Sequence, residues 1–134
     1  MKNNDIKYFP KDYLNKHIFK DNELNKKSKS EKPLISVVMP SFNQAKYIEK
    51  SILSVLNQDY PNKELIIIDG CSNDGTIKIL KKYDPYIEYW VSEKDMGQSD
   101  ALNKGFSVCK GDIYCWLNSD DLLLPNAFNT AFSE

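Results

Sequence analysis

The chain has 134 residues, 41% of them hydrophobic and 28% charged, which suits one globular domain around one core. Its net charge of −1 divides into +4 over residues 1–32 (nine Lys, five acids) and −5 over residues 33–134 (nine Lys, fourteen acids). So dilute a basic excess excludes a nucleic-acid footprint, no apolar run approaches the roughly 20 residues of a spanning helix, and no signal-peptide pattern opens the chain.

Residues 1–32 read as a polar leader or linker, with a short docking helix conceivable in "YFPKDYLNKHIF" and a surface role for His17. The texture changes at Pro33. "LISVVMP" (34–40) is a β-branched apolar run closed by proline, which predicts a buried strand. "AKYIEKSILSVLNQ" repeats apolar residues at three and four, the mark of an amphipathic helix, and "DYPN" ends it. "ELIIID" (64–69) predicts a second buried strand, and "GCSNDGT" a turn entering a short helix that carries Ile77 and Leu80 and stops before Asp84-Pro85. "IEYWV" (87–91) predicts a third strand. From Gly97, Ala101, Leu102, Phe106 and Cys109 share a helical face. "DIYCWL" (112–117) predicts a fourth strand, and "PNAFNTAF" a helix with Pro125 near its first position. Alternation of strand and helix predicts an α/β fold, a mostly parallel sheet flanked by helices on both faces.

Cys71, Cys109 and Cys115 are odd in number and form no CxxC, so they read as reduced packing residues of a cytosolic protein rather than a disulfide frame or zinc site.

In open parallel sheets, ligands bind outside the carboxyl ends of the strands. Polar groups stand there in this chain: Pro40-Ser41-Phe42-Asn43 after the first strand, Asp69 with Ser72, Asn73 and Asp74 after the second, and Asn118-Ser119-Asp120-Asp121 after the fourth. Neither GxGxxG nor GxxxxGK[ST] is present, and "DGCSND" lacks the glycine of a calcium loop. Aspartates at a strand end suit Mg²⁺ or Mn²⁺ bridging a diphosphate. Each cluster also has a plainer account. Asp120 and Asp121 can cap the next helix, Asp69 can hold a turn, and "MGQSDALNKG" can simply start a helix.

"ISVVMPSFNQAKYIEKSILSVLNQDYPNKELIIIDGCSNDGT", then "EKDMGQSDALNKG", then "GDIYCWLNSDDLLLPNA" resemble, in order and spacing, the blocks of family 2 glycosyltransferases of the GT-A fold, over about residues 33–130. The resemblance implies a Rossmann-like GT-A nucleotide-binding half and inverting transfer of sugar from a nucleoside diphosphate, a UDP-sugar foremost, in cell-surface polysaccharide synthesis. It places Pro40, Ser41 and Asn43 in the nucleotide pocket. Asp69 is then at the base, Asp74 holds a mostly structural place in the same turn, and Gly97, Asp100 and Asn103 lie alongside the nucleotide sugar. "NSDD" matches the DxD region. Asp120 is the metal-binding carboxylate, with Asp121 its neighbour and Ser119 between, and Asn118 stands where the family has its first aspartate, bringing an amide oxygen but no charge.

The family's general base and acceptor-binding half come from a later segment with no match here. The resemblance therefore implies a truncated donor half, inactive by itself, that meets a glycan or lipid-linked acceptor through the missing half and self-associates through the surface left bare. Its expected place is the cytoplasm, peripheral to the inner membrane face. Two other readings stand beside it: a truncated, non-catalytic nucleotide-binding or interaction module, and a sugar nucleotidyltransferase. The second is disfavoured because no Gly-rich basic loop follows the first strand.

Overall fold

The computed structural model describes residues 32–132. The polar leader, the short docking helix and His17 lie outside the described residues. The elements follow as β1 (Ile35–Ser41), α1 (Ile48–Leu56), β2 (Lys63–Asp69), α2 (Thr76–Tyr83), a 3₁₀ turn (Asp84–Tyr86), β3 (Tyr89–Ser92), α3 (Gln98–Val108), β4 (Ile113–Trp116) and α4 (Ala127–Phe132). The four strands form one sheet in the order β3-β2-β1-β4, and every neighbouring pair is parallel. The expected α/β architecture is therefore present.

β1 is buried along its whole length, as a central strand covered on both faces must be. On one face Ile35, Val37, Met39, Leu65 and Ile67 join α1, α2 and Phe128 of α4 in the main core. On the other, Ile66 and Ile68 meet Ala101 of α3 in a smaller one. Burying each such aliphatic side chain stabilises the fold by about 1.5–3 kcal/mol. Gly105 lets α3 approach this second face closely. A Cβ there would stand 2.3 Å from Val38 Cγ1.

β1 pairs with β2 over seven residues, Ile35↔Lys63 to Ser41↔Asp69. It pairs with β4 over only four, Ile35↔Ile113 to Val38↔Trp116. Beyond Val38, β1 and β4 part company. Pro40 falls in this stretch, where the side of β1 facing β4 has no ladder bond to lose. The chain moves from β1 outward to β2 and β3, then returns to the other flank of β1 as β4. A crevice at the carboxyl ends of β1 and β4 follows from this reversal.

Several local expectations change. β3 begins at Tyr89 rather than at residue 87, because Pro85 stands in a 3₁₀ turn and Trp90 Nε1 donates to Asp84 Oδ1 at 2.7 Å. α1 is buried on nearly all sides, including Glu49, Ser51 and Ser54, so it is not the half-exposed helix its periodicity suggests. Glu49 is held there by Tyr83 Oη at 3.0 Å and Lys82 Nζ at 3.2 Å. Burial and this carboxylate together push the Tyr83 phenol well above its ordinary range. Pro125 stands in a turn with Asn126, at φ 65°, ahead of α4 rather than at its first position. Cys109 and Cys115 are partly buried. Burial raises both thiols, Cys115 to about 11. Cys71 is exposed in a loop instead of packed.

Candidate functional site

Two loops are stitched together at the carboxyl end of the sheet. Asp69 ends β2 with its side chain fully buried. Its Oδ2 accepts from Ser72 N at 2.8 Å and Ser92 Oγ at 2.7 Å, and its Oδ1 accepts from Ser72 Oγ at 2.6 Å. Ser72 Oγ in turn accepts from Asn43 N at 2.8 Å, and Asn43 Oδ1 accepts from Asn73 N at 2.9 Å. Asn43 reaches these partners from the left-handed region, φ 50°, which asparagine tolerates better than most residues.

Asp74 continues the seam. It accepts from Ala45 N at 3.0 Å, Thr76 N at 3.1 Å and Thr76 Oγ1 at 2.6 Å. Desolvation works to raise this carboxyl, but the hydrogen bonds from the Thr76 side chain and from the Ala45 and Thr76 amides outweigh it, so its pKa lies below the ordinary value. The structural role implied for Asp74 is thus visible in its contacts.

Above this seam lies a cleft of about 670 Å³, within the range of small-molecule sites. Pro40, Ser41 and Phe42 of the β1 end form one wall and Asn118, Ser119 and Asp120 of the β4 end another. Gly70 lies between them, and Lys94, Asp95, Gly97, Gln98 and Ala101 close the side toward α3. Gly70 is needed for closeness. A Cβ there would lie 2.9 Å from Asp95 Oδ2. Asp95 itself accepts from Gly97 N at 3.0 Å. Ser41 Oγ is buried against the cleft with no hydrogen-bond partner. A buried hydroxyl without a partner costs free energy that a ligand atom can recover. Phe42 is 60% exposed, a costly position for an aromatic ring unless something stacks on it.

Six of the expected residues, Pro40, Ser41, Gly97, Asn118, Ser119 and Asp120, line this cleft. The others stand elsewhere. Asn43 and Asp69 form the seam below, and Asp69 has no free face for a ligand unless Ser72 or Ser92 turns away. Asp100 lies on the first turn of α3 and accepts from Met96 N at 3.0 Å. That bond, opposed by desolvation and aided by Lys104, holds its carboxyl below the usual range. Asn103 is exposed further along α3, off the cleft wall. Asp121 is exposed outside the wall, with its backbone N–H donating to Asn118 O at 3.0 Å in a tight turn. Both aspartates precede Ala127 by a full turn or more, so neither caps α4.

Asn118 Oδ1 accepts from Gln98 Nε2 at 2.7 Å across the mouth of the cleft. Phe42, Gln44, Gly70, Lys94, Asp95, Gln98 and Ala101 were not picked out from sequence. The legible signal for part of this set was the polar segment after β3, from which only Gly97, Asp100 and Asn103 were singled out. Among the described residues no group of three His, Cys, Asp or Glu could hold a metal by itself. An exposed carboxylate at Asp120 and an amide oxygen at Asn118 nevertheless fit a hard cation such as Mg²⁺ or Mn²⁺. Such ions take one or two protein oxygens and complete their shell from phosphate and water.

This fold and cleft define a protein of the GT-A class, an α/β sheet with a ligand crevice at its switch point. Residues 36–132 match the model of Glycosyl transferase family 2, and the chain belongs to that family. It is 43% identical over 93 residues to the putative teichuronic acid biosynthesis glycosyltransferase TuaG of Bacillus subtilis, covering 67% of this chain and 37% of that protein. It is 34% identical over 105 residues to the chondroitin synthase of Escherichia coli, covering 76% of this chain and 15% of that one. The S. aureus TarS 1–349 structure in complex with UDP-GlcNAc superposes with a TM-score of 0.65 at 26% identity, covering 73% of this chain and 29% of that chain. The chain thus spans little more than a third, or less, of the relatives it matches.

Proposed function

We propose that the cleft binds a nucleoside diphosphate sugar, a UDP-sugar foremost, for inverting transfer to a glycan or lipid-linked acceptor in cell-surface polysaccharide synthesis. The observation that carries this reading is the pairing of opposite walls: a buried, unpartnered Ser41 hydroxyl beside an exposed Phe42 ring, facing the exposed Asp120 carboxylate. The ring offers a stacking surface to a base, and the hydroxyl offers a hydrogen bond to base or ribose. Asp120 and Asn118 would hold Mg²⁺ or Mn²⁺ at the diphosphate, and when bound the cation neutralises charge that grows on the leaving group. Lys94 lines the same cleft and adds a positive charge. The UDP-GlcNAc complex of TarS and the polysaccharide names of TuaG and chondroitin synthase support the substrate class. Three unpaired cysteines support a cytoplasmic setting.

A binding module without transfer is the second reading. It draws on Asn118, whose oxygen is already engaged by Gln98. Calorimetry of UDP with the purified chain, in EDTA and in Mn²⁺, tests the site. UDP binding that tightens with Mn²⁺ is expected. No UDP binding under either condition overturns the proposal. Release of UDP from UDP-sugars then separates the two readings.

A further inference from the structure

The segment from Ser119 to Phe128 leaves the end of β4 and crosses to α4 without any ladder of its own. Its backbone groups still need partners. They find them on α1 and just past its end. Ser51 Oγ lies 2.9 Å from Ser119 O and 2.5 Å from Asp121 O. Ser54 Oγ accepts from Leu123 N at 3.1 Å and donates to Ser51 O at 2.8 Å. Gln58 Nε2 donates to Leu124 O at 2.8 Å, and its Oε1 accepts from Phe128 N at 3.1 Å. Ser51, Ser54 and Gln58 are all buried. Ser51 and Ser54, three apart, share one face of α1, and Gln58 stands just past its last residue, Leu56.

Serine is a poor helix former, because it competes for backbone bonds, and a buried polar group is costly unless it is bonded. A core helix gains little from such residues by itself. Apart from bonds back to α1, from Ser54 Oγ to Ser51 O and from Gln58 Nε2 to Ser54 O, their side-chain contacts run to one place, the backbone of the segment that carries Asp120 and the Asn118–Asp121 turn.

We propose that Ser51, Ser54 and Gln58 are positioning residues: a polar rail on α1 and the turn that follows it, which fixes where Asp120 stands and so sets the metal-dependent part of nucleotide binding. The inference rests on the cleft reading above and adds residues outside the cleft. Both carbonyls flanking Asp120, those of Ser119 and Asp121, meet one hydroxyl. Residue 120 is therefore held on both sides, while its own side chain stays exposed on the cleft wall. Without Ser51 the single hydroxyl proton that these two carbonyls share is lost, and the turn is free to swing toward water. The opposite wall, with Ser41 and Phe42, is untouched by this change.

The test uses the full chain and three variants, Ser51→Ala, Ser54→Ala and Gln58→Met, with Ser36→Ala as comparator. Ser36 is an equally buried serine at the far end of β1, bonded to Glu64 at 2.6 Å. Two readouts are taken: amide hydrogen exchange, and UDP affinity in EDTA and in Mn²⁺. Exchange is expected to speed at least tenfold at Leu123 in Ser54→Ala, at Phe128 in Gln58→Met and at the Asp121 turn amide in Ser51→Ala, with β1 and β2 amides unchanged. The rail variants are expected to cut the Mn²⁺ enhancement of UDP affinity at least fivefold, with affinity in EDTA kept within twofold. Ser36→Ala should leave the enhancement intact. Unchanged exchange across 119–128, or an equal loss of enhancement in Ser36→Ala, overturns the proposal. Loss of EDTA affinity together with the enhancement overturns it too, since the whole site would then have collapsed. A wild-type chain with no Mn²⁺ enhancement overturns the metal reading of the cleft, and the exchange result alone then decides the rail.

Discussion

Replacing Asp69 by Asn separates two roles for this carboxylate. The family resemblance puts Asp69 at the base of the nucleotide, while its contacts make it the brace of the 69–76 loop. The side chain is fully buried and accepts three hydrogen bonds, from Ser72 N, Ser72 Oγ and Ser92 Oγ. Hydrogen bonds to a charged group contribute about 1.5–3 kcal/mol each, against about 0.5–1.5 kcal/mol for neutral ones. Asn at the same place can still accept from Ser72 N and Ser92 Oγ through its one oxygen. Its amide nitrogen then faces Ser72 Oγ, whose proton must turn elsewhere. Two bonds lose their charge assistance and the third, from the Ser72 hydroxyl, loses its acceptor, a gross loss of about 3–5 kcal/mol. Relief from burying a carboxylate returns part of this, so a net destabilisation of roughly 2 kcal/mol is expected. For a domain of this size that is on the order of 10 °C in Tm. Urea denaturation of wild type and variant, followed by far-UV circular dichroism, measures it. UDP affinity in a buffer where both are folded measures the other role. A variant within 0.5 kcal/mol of wild type that has nonetheless lost UDP affinity would refute the brace and restore direct base contact.

Asp120→Ala is expected to abolish the Mn²⁺ enhancement of UDP affinity while leaving weaker metal-free binding largely intact, as read by calorimetry with and without EDTA. Phe42→Ala should weaken UDP by about 1–3 kcal/mol, the usual worth of base stacking, equally with and without metal. It should leave Tm nearly unchanged, because the ring is mostly exposed. Asp74 has a folded-state pKa depressed below its unfolded value. Its stabilisation is therefore complete above the unfolded value near 3.9 and fades as pH falls through the folded one. Asp74→Ala is expected to lower Tm at pH 7 and to converge on wild type in acid below that window.

β1 and β2 were plain in the sequence, because a doubly covered strand is an unbroken β-branched run. The expected alternation with helices carried the rest of the sheet. The cleft was legible in outline for one reason: parallel topology sends all four strand ends to the same edge, so polar residues after strands had to meet. What stayed hidden was how far each side chain reaches. Asp69 and Asp120 look alike in a string of letters. One is enclosed by two serines that lie 3 and 23 positions away, and the other stands free. Ser51, Ser54 and Gln58 read as the wet side of an amphipathic helix, since nothing local tells that a loop nearly 70 residues later lies across them. Cys71 misled for the opposite reason, since a small apolar residue beside a strand end suggests packing and the loop turned it outward.

The two flanks of β1 are not equal partners in assembly. Ile35 meets Lys63 after a loop of 28 residues, and meets Ile113 only after one of 78. Closing the longer loop costs about 0.9 kcal/mol more in chain entropy, and it is repaid by a four-residue ladder instead of one of seven. The β1–α1–β2 unit, with Ser41 and the braced loop, can thus exist before β4 arrives, whereas the Asp120 wall cannot exist without it. Under mild stress β4 is expected to leave before β1 and β2 separate. The molecule would pass through a species that keeps its sheet and the stacking face but has no anion-bearing wall, so competence for ligand is lost at a lower threshold than fold.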